Sequence, residues 1–377
     1  MSGRCEGEPG LTRAVVDLTR IRHNVAGFKE LVQDAQVLSV VKANAYGHGA
    51  FPVARAALSA GASRLGVYTV SEGLALRAAG VTAPILVFGP FRPADAAQIA
   101  NFQLTATVHN IESARALQET GASVTAHVKV DTGLSRAGVE PKKVAGLLEA
   151  VRSFHHLTIE GLYTHFARAE EPDPGPTVRQ LDTFLRVADE LTARGLRPPM
   201  LHAANTAATL AFPAAWLDMV RIGIGMYGYY PSPVEPPPVP LAPALSLEST
   251  LTRLHTIHPG DGVGYGHEFV AARDTVVGLV PVGYGDGLPR GLGCGHGSVL
   301  IRRARVPIIG RVSMDQITID VTDVAGATVG DAVTLIGSQG DVVQTADDLA
   351  SRAGTISYEI LTRLMPRVPR LYIGDAA

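Results

Sequence analysis

Cysteine is nearly absent from the chain. Two residues in 377, Cys5 near the start and Cys294 in a glycine-rich stretch, can build neither a disulfide framework nor a cysteine-based metal cluster. A reducing, cytoplasmic setting without a metal site is the expectation. Long apolar runs are missing too: no window holds 18 uninterrupted apolar residues, and the opening MSGRCEGEPG lacks the apolar core of a secretory signal. No membrane partner is therefore expected. Charge of one sign is not in excess, with 33 Lys and Arg against 35 Asp and Glu, and no basic run carries interleaved aromatics. Nucleic acid is not an expected partner either. Lysine is the most telling shortage. Only Lys29, Lys42, Lys129, Lys142 and Lys143 stand against 28 arginines, so generic surface composition did not place them.

One of the five, Lys42, closes the apolar, β-branched run Val37–Val41, and Asn44, Gly47 and Gly49 then break the strand into a loop. A lysine at a strand end can serve as a covalent anchor. Partly desolvated, it loses its proton and forms a Schiff base with an aldehyde, which guanidinium cannot do. The plainer reading is a lysine reaching from a strand end toward water. The rest of the chain has to decide between them.

With 46% hydrophobic residues the chain is long enough for one large domain and a second, smaller one. Residues 1–10 read as a flexible tail, 14–18 as a short strand and 20–34 as a helix. A rhythm follows, with strand-like runs at 38–42, 64–69, 85–88, 105–109, 126–130, 159–165, 200–204 and 219–223 and Ala- and Leu-rich helical segments between most of them. Eight β/α units predict an α/β fold, a closed (β/α)₈ barrel over residues 11–245, with an open parallel sheet as the alternative. Barrels gather their sites at C-terminal strand ends, which is where Lys42, Asp131, His165, Asn205 and Arg221 fall. Pro231–Pro243, PSPVEPPPVPLAP, reads as a stiff connector. Residues 246–377 then read as a mostly β domain of strands and glycine turns, helical only near 345–353 and 356–364.

A strand-end lysine in a barrel fits a Schiff-base aldolase or a pyridoxal phosphate enzyme, and a phosphate cradle separates the two. Candidate donors are Asn205 and Thr206 after the seventh strand, Gly223, Ile224 and Gly225 after the eighth, and the Tyr46 hydroxyl. Three of the polar positions have plain alternatives. Asn205-Thr206 suits a helix cap, His165 a satisfied strand-end histidine, and Arg136 half of a surface ion pair.

Nine segments in order resemble the alanine racemases, fold-type III pyridoxal phosphate enzymes. They are VVKANAYGHG (40–49), VKVDTGLSRAG (128–138), YTHFA (163–167), HAANTAA (202–208), VRIGIGMYG (220–228), VGYGHEF (263–269), VGYGDGLPR (282–290), GRVSMDQ (310–316) and SYEILTRL (357–364). The resemblance spans nearly the whole chain. It implies that Lys42 carries pyridoxal 5′-phosphate and, once released by substrate, acts as one base, with Tyr265 as a second base on the opposite face of Cα. Two bases are the direct way to return a proton from the other side. A free tyrosine is a poor base near neutrality, so neighbours must draw off its proton, and His165 matches the family's histidine that contacts it.

The resemblance further implies that Arg221 faces the pyridine nitrogen. A guanidinium does not readily hand over a proton, which weakens the ring as an electron sink and favours racemisation over transamination. Tyr46 and Tyr358 match phosphate contacts, alongside Asn205, Thr206, Gly223 and Ile224 in the cofactor site. Arg136 matches an arginine near the cofactor's phenolic oxygen and the substrate carboxylate, and Lys129 a position where many relatives carry a lysine carbamate. Met314 matches a backbone contact to the substrate carboxylate, and Tyr284 a residue narrowing the entrance. In the family Tyr265, Tyr284 and Met314 reach the other subunit's barrel, so an obligate homodimer is expected. Ser313 stands where several relatives have cysteine, a small-for-small change expected to act locally.

The implied function is interconversion of L- and D-alanine for peptidoglycan, with a serine or broad-specificity amino-acid racemase of the same fold as the alternative. The related diamino-acid decarboxylases fit less well, since their glycine-rich phosphate motif and cysteine-aspartate pair are not found. A single-barrel cofactor carrier would lack the second domain.

Overall fold

The computed structural model describes residues 10–232 and 236–374. The expected tail lies almost wholly outside them, as do residues 233–235 of the proline connector. The chain forms two compact units. One comprises residues 19–45 and 50–242, the other the described parts of 1–18, 46–49 and 243–377.

In chain order the first strands are β1 (Arg13–Asp17), β2 (Gln36–Val40), β3 (Arg64–Val67), β4 (Ile85–Val87), β5 (Ala106–Val108), β6 (Val124–Lys129), β7 (Leu157–Tyr163), β8 (Met200–His202) and β9 (Met219–Ile222). β2 to β9 pair in parallel in two runs, β4-β3-β2-β9 and β5-β6-β7-β8. Hydrogen bonds join the runs at both edges. Thr105 N donates to Ile85 O at 2.8 Å and Val87 N to Thr105 O at 2.9 Å, while Asp218 N donates to Leu201 O and Arg221 N to Ala204 O, each at 3.0 Å. Eight strands thus close in chain order into the expected (β/α)₈ barrel, and the open sheet is excluded.

Both faces of these strands are covered, which is why they read as short, nearly continuous runs of Val, Ile, Leu and Ala. Val37, Leu38, Leu65, Val67, Ile85, Val87, Val108, Val128 and Ile222 are all fully buried. The surrounding helices supply the outer layer. Gly175–Ala193, for example, buries Leu181, Phe184, Val187, Ala188 and Leu191 at the three- and four-residue spacing of one helical face.

The other unit is mostly β, as expected. Its strands are β10 (Leu245–Thr250), β11 (Arg253–Ile257), β12 (Gly262–Val263), β13 (Phe269–Val270), β14 (Thr275–Val280), β15 (Ser298–Ile301), β16 (Ala304–Ile309), β17 (Ile317–Asp320), β18 (Ala332–Gln339), β19 (Val342–Gln344) and β20 (Arg370–Ile373). One sheet runs β11-β14-β17-β16-β15-β18-β10-β1-β20, with β19 on β18. The division differs from the expected one at its start. β1 pairs antiparallel with β10 and parallel with β20, so residues 13–17 belong to this unit and not to the barrel. The alternation of buried Ala14 and Val16 marks a strand, but the sheet it joins is chosen by partners far away in sequence.

Candidate active site

Immediately after β2 the backbone does what L-residues avoid. Ala43, Asn44, Ala45 and Tyr46 have φ of 51°, 53°, 52° and 49°, one turn of left-handed helix. Each such residue costs roughly 1–2 kcal/mol, so the turn must be tied down. Ala45 N donates to Val41 O at 2.9 Å, Ala50 N to Asn44 Oδ1 at 2.9 Å, and Ala43 N to Glu72 Oε1 at 2.6 Å. Glu72 Oε2 accepts from Tyr68 N and Thr69 N at the start of the helix Val70–Ala78. The carboxylate therefore couples that helix start to the lysine turn. Glu72 went unnoticed in the sequence, although Thr69-x-x-Glu72 is a capping-box pattern. Lys42, held at the head of this turn, is half-buried, and no hydrogen bond or ion pair to its amine occurs among the described residues. Burial foremost, then Arg136, lowers its pKa, with Glu72 opposing. The amine is biased toward the free base that Schiff-base chemistry requires.

The next cations come from the β6 end. Lys129 is 7% exposed and likewise makes no ion pair among the described residues; burial first, then Arg136 and Arg221, pull its pKa down to about 8. The loop beyond it arches back on itself. Val139 N donates to Lys129 O at 2.7 Å, Asp131 N to Val139 O at 2.9 Å, and Asp131 Oδ1 accepts from Gly133 N and Ser135 N. Arg136 sits exposed on this arch.

Arg221, on β9, is 3% exposed. Its Nη2 donates to Thr164 O at 2.8 Å, Ala203 O at 2.9 Å and His165 Nδ1 at 3.3 Å, and its Nη1 to His202 Nδ1 at 3.0 Å. No acceptor for Nε–H and no carboxylate partner is seen among the described residues. Burial lowers its pKa to about 10, still far above neutrality. His165 is held neutral, its pKa well below the usual range through burial, Arg221 and Arg136. His202, another residue missed in the sequence reading, is fully buried.

Two backbone turns complete the barrel side. Asn205 caps the helix Thr206–Ala211, its Oδ1 accepting from Ala208 N at 3.0 Å, so the plain reading of this residue holds. Thr206 Oγ1 accepts from Gly223 N at 3.0 Å and ties this turn to the one that opens at Ile224. Neither Thr206 N nor Ile224 N meets an acceptor among the described residues. Backbone donors, a buried guanidinium with an unspent N–H, two amines biased toward neutrality and Arg136 suit an anionic aldehyde whose ring nitrogen accepts a hydrogen bond.

The remaining expected residues lie in the mostly β unit. Tyr46 is buried with its ring centroid 6.0 Å from that of Tyr358, and burial pushes its hydroxyl pKa up. Tyr265 is 72% exposed, and Met314 and Tyr284 also stand open. Tyr284 and Met314 are locked together: Tyr284 N donates to Ser313 O at 3.0 Å and Gly285 N to Met314 O at 2.8 Å. Arg367 braces the pair, with Nη2 on Met314 O, Nη1 on Asp315 and Nε on Asp286. Only glycine fits at 283, because a Cβ there would collide with the carbonyls of Ser313 and Met314.

A (β/α)₈ barrel with a partly desolvated lysine at a strand end, joined in one chain to a β domain bearing exposed tyrosines, defines a two-domain barrel class. The family models for the alanine racemase N-terminal and C-terminal domains match residues 16–231 and 244–372. The chain is 44% identical over 371 residues to the alanine racemase of Geobacillus stearothermophilus, covering 96% of this chain and 93% of that one. It is 42% identical over 370 residues to that of Symbiobacterium thermophilum, covering 97% and 98%. The crystal structure of alanine racemase from Bacillus anthracis with bound L-Ala-P superposes with a TM-score of 0.92 at 40% identity, covering 97% of this chain and 96% of that one. That from the D-cycloserine producing Streptomyces lavendulae superposes with a TM-score of 0.92 at 36% identity, covering 98% of each. The chain belongs to the alanine racemase family and is an isomerase, a racemase of alanine.

Proposed function

We propose that the chain interconverts L- and D-alanine with pyridoxal 5′-phosphate, using Lys42 and Tyr265 as bases on opposite faces of Cα, and that it works as a homodimer in which each site draws Tyr265, Tyr284 and Met314 from the partner copy. The observation that carries this reading is the Lys42 amine, without a hydrogen bond or ion pair among the described residues and driven toward neutrality within a set of cations. When bound, the cofactor supplies an aldehyde carbon for Lys42 and a conjugated ring that stabilises negative charge at Cα. Thr206, Gly223, Ile224, Tyr46 and Tyr358 would hold its phosphate, with Asn205 shaping the turn, and Arg221 would face its ring nitrogen.

Arg136 and Met314 N hold the substrate carboxylate, Arg136 as a forked donor. Lys42 removes or returns the Cα proton on one face, and the Tyr265 oxygen does so on the other. A turnover in one direction leaves Lys42 one proton richer and Tyr265 one poorer, so the pair must exchange protons with solvent before the next. His165, neutral and accepting from Arg221 through Nδ1, has its Nε2–H available to stabilise a tyrosine oxyanion. The exposure of Tyr265, Met314 and Tyr284 supports a covering partner. D-Alanine made this way feeds peptidoglycan, and a free, exposed Cys294 suits a reducing cytoplasm. Among the described residues no helix is long and apolar enough to cross a membrane.

Proton exchange at Cα in D₂O tests the reading, with L-alanine and L-serine in parallel, added pyridoxal phosphate and chiral analysis. Deuterium incorporation with D-alanine appearing, and serine slower, is the expected result. Equal rates on serine would favour the broad-specificity alternative, and cofactor binding without exchange on either would overturn the reading.

A further inference from the structure

Arg221 stands in the middle of a longer chain of hydrogen bonds. Beyond His202, its Nε2 lies 2.8 Å from His127 Nδ1, and His127 Nε2 lies 3.1 Å from Glu160 Oε2. Arg64 clasps that carboxylate with Nη1 at 2.8 Å from Oε2 and Nη2 at 2.6 Å from Oε1. Both histidines are 0% exposed. A guanidinium only donates and a carboxylate only accepts, so the direction of every bond between them is forced. On each imidazole Nδ1 accepts and Nε2–H donates. A second proton on either ring would set N–H against N–H. Burial acts in the same sense, lowering the pKa of both rings, while hydrogen bonds from His127 and Arg64 hold Glu160 ionised, with a pKa of about 2.

The fold bends locally to build this path. β3 and β7 lie opposite each other in the ring of eight, so the Arg64–Glu160 pair spans the barrel interior. β7 carries one extra residue here: Ala126 pairs with Ile159 and His127 with Gly161, leaving Glu160 as a bulge. A Cβ at Gly161 would lie 2.5 Å from His127 Nδ1, so glycine makes room for the ring. His202 is stacked on Tyr163, with centroids 4.7 Å apart and planes 12° from parallel. Barrel interiors are otherwise filled with branched apolar side chains, and burying these groups costs desolvation that apolar packing avoids.

We propose that Arg64, Glu160, His127 and His202 are positioning residues for Arg221: their one-directional chain holds the guanidinium in a single orientation and, through its Nη2 contact, fixes His165 with its proton on Nε2. This rests on the reading of Arg221 and His165 as cofactor-site residues.

The test uses the full-length protein labelled with ¹⁵N-histidine, with and without pyridoxal phosphate, the ring signals being assigned from His127→Gln and His202→Gln variants. Both rings are expected as neutral Nε2–H tautomers from about pH 5.5 to 9, a range that brackets free histidine. An imidazolium or an Nδ1–H tautomer at either position overturns the forced direction. The second arm is Glu160→Gln. It is expected to weaken pyridoxal phosphate binding by about tenfold, the scale seen for outer hydrogen-bond partners, and to change the His165 tautomer signal. The conservative Glu160→Asp variant is expected to recover most of the affinity. A Glu160→Gln protein that loses thermal stability but keeps cofactor affinity and the His165 signal reduces the chain to a structural role and overturns the proposal. Wild-type protein that fails to bind pyridoxal phosphate would instead remove the parent reading, a result the tautomer signals do not depend on.

Discussion

Lys42 is a cation this chain rarely uses, placed where the common one would fail. Arginine keeps the charge but cannot form a Schiff base or act as a base near neutrality. Lys42→Arg is expected to lower Cα exchange by about three orders of magnitude, the scale of a lost acid–base group, and borohydride reduction should then leave no cofactor on the corresponding peptide. Lys129 carries a second chemical expectation. With its pKa at about 8, a usable fraction is the free amine, which can add to carbon dioxide, forming an N–C bond and releasing a proton to water. Under a fixed pressure of ¹³CO₂ a carbamate signal is expected to grow from about pH 7 to 9 and to be missing from Lys129→Ala. The same depressed pKa works on stability. Between about pH 8 and 10.4 the unfolded lysine binds a proton that the folded one has released, so stability gains a contribution as pH rises through that window. The identity of these lysines was legible because they are scarce. Their protonation was not, because it depends on burial and on arginines brought close by folding.

At the scale of elements, two short turns concentrate strain and close approach. In the left-handed turn, Ala43→Gly removes one unfavourable backbone conformation and is expected to raise stability by about 1 kcal/mol while lowering kcat, since the turn that presents Lys42 loosens. A rise in both would show that the strain serves no purpose in turnover. In the mostly β unit, Gly283→Ala drives a methyl group into the Ser313 and Met314 carbonyls. A loss of about 1–3 kcal/mol and a raised KM for alanine are expected, read by thermal unfolding and steady-state kinetics. Barrel strands were readable from their β-branched runs and turn glycines, each to within a few residues. The left-handed turn was not: KANAY reads simply as a break, and only the hydrogen bonds from Glu72, Asn44 and Val41 show how four such residues are sustained.

For the whole molecule the central expectation is a site shared between copies. Lys42→Ala and Tyr265→Phe proteins should each be nearly inactive. After subunit exchange half of the dimers would be hybrids with one intact site, giving about a quarter of wild-type activity. No recovery would overturn the shared site, and a monomer in sedimentation would overturn the dimer.

Local pattern was enough to determine eight barrel strands, a β domain after the prolines and, through nine ordered segments, the family. Tertiary structure alone decided which sheet β1 joins, which amines are pulled toward neutrality and how Arg221 is braced. Arg64 and Glu160 are 96 positions apart, and His127 and His202 are 75 apart. Pairing, tautomer and pKa follow from through-space partners and the low dielectric of a closed core. No stretch of neighbouring residues contains either.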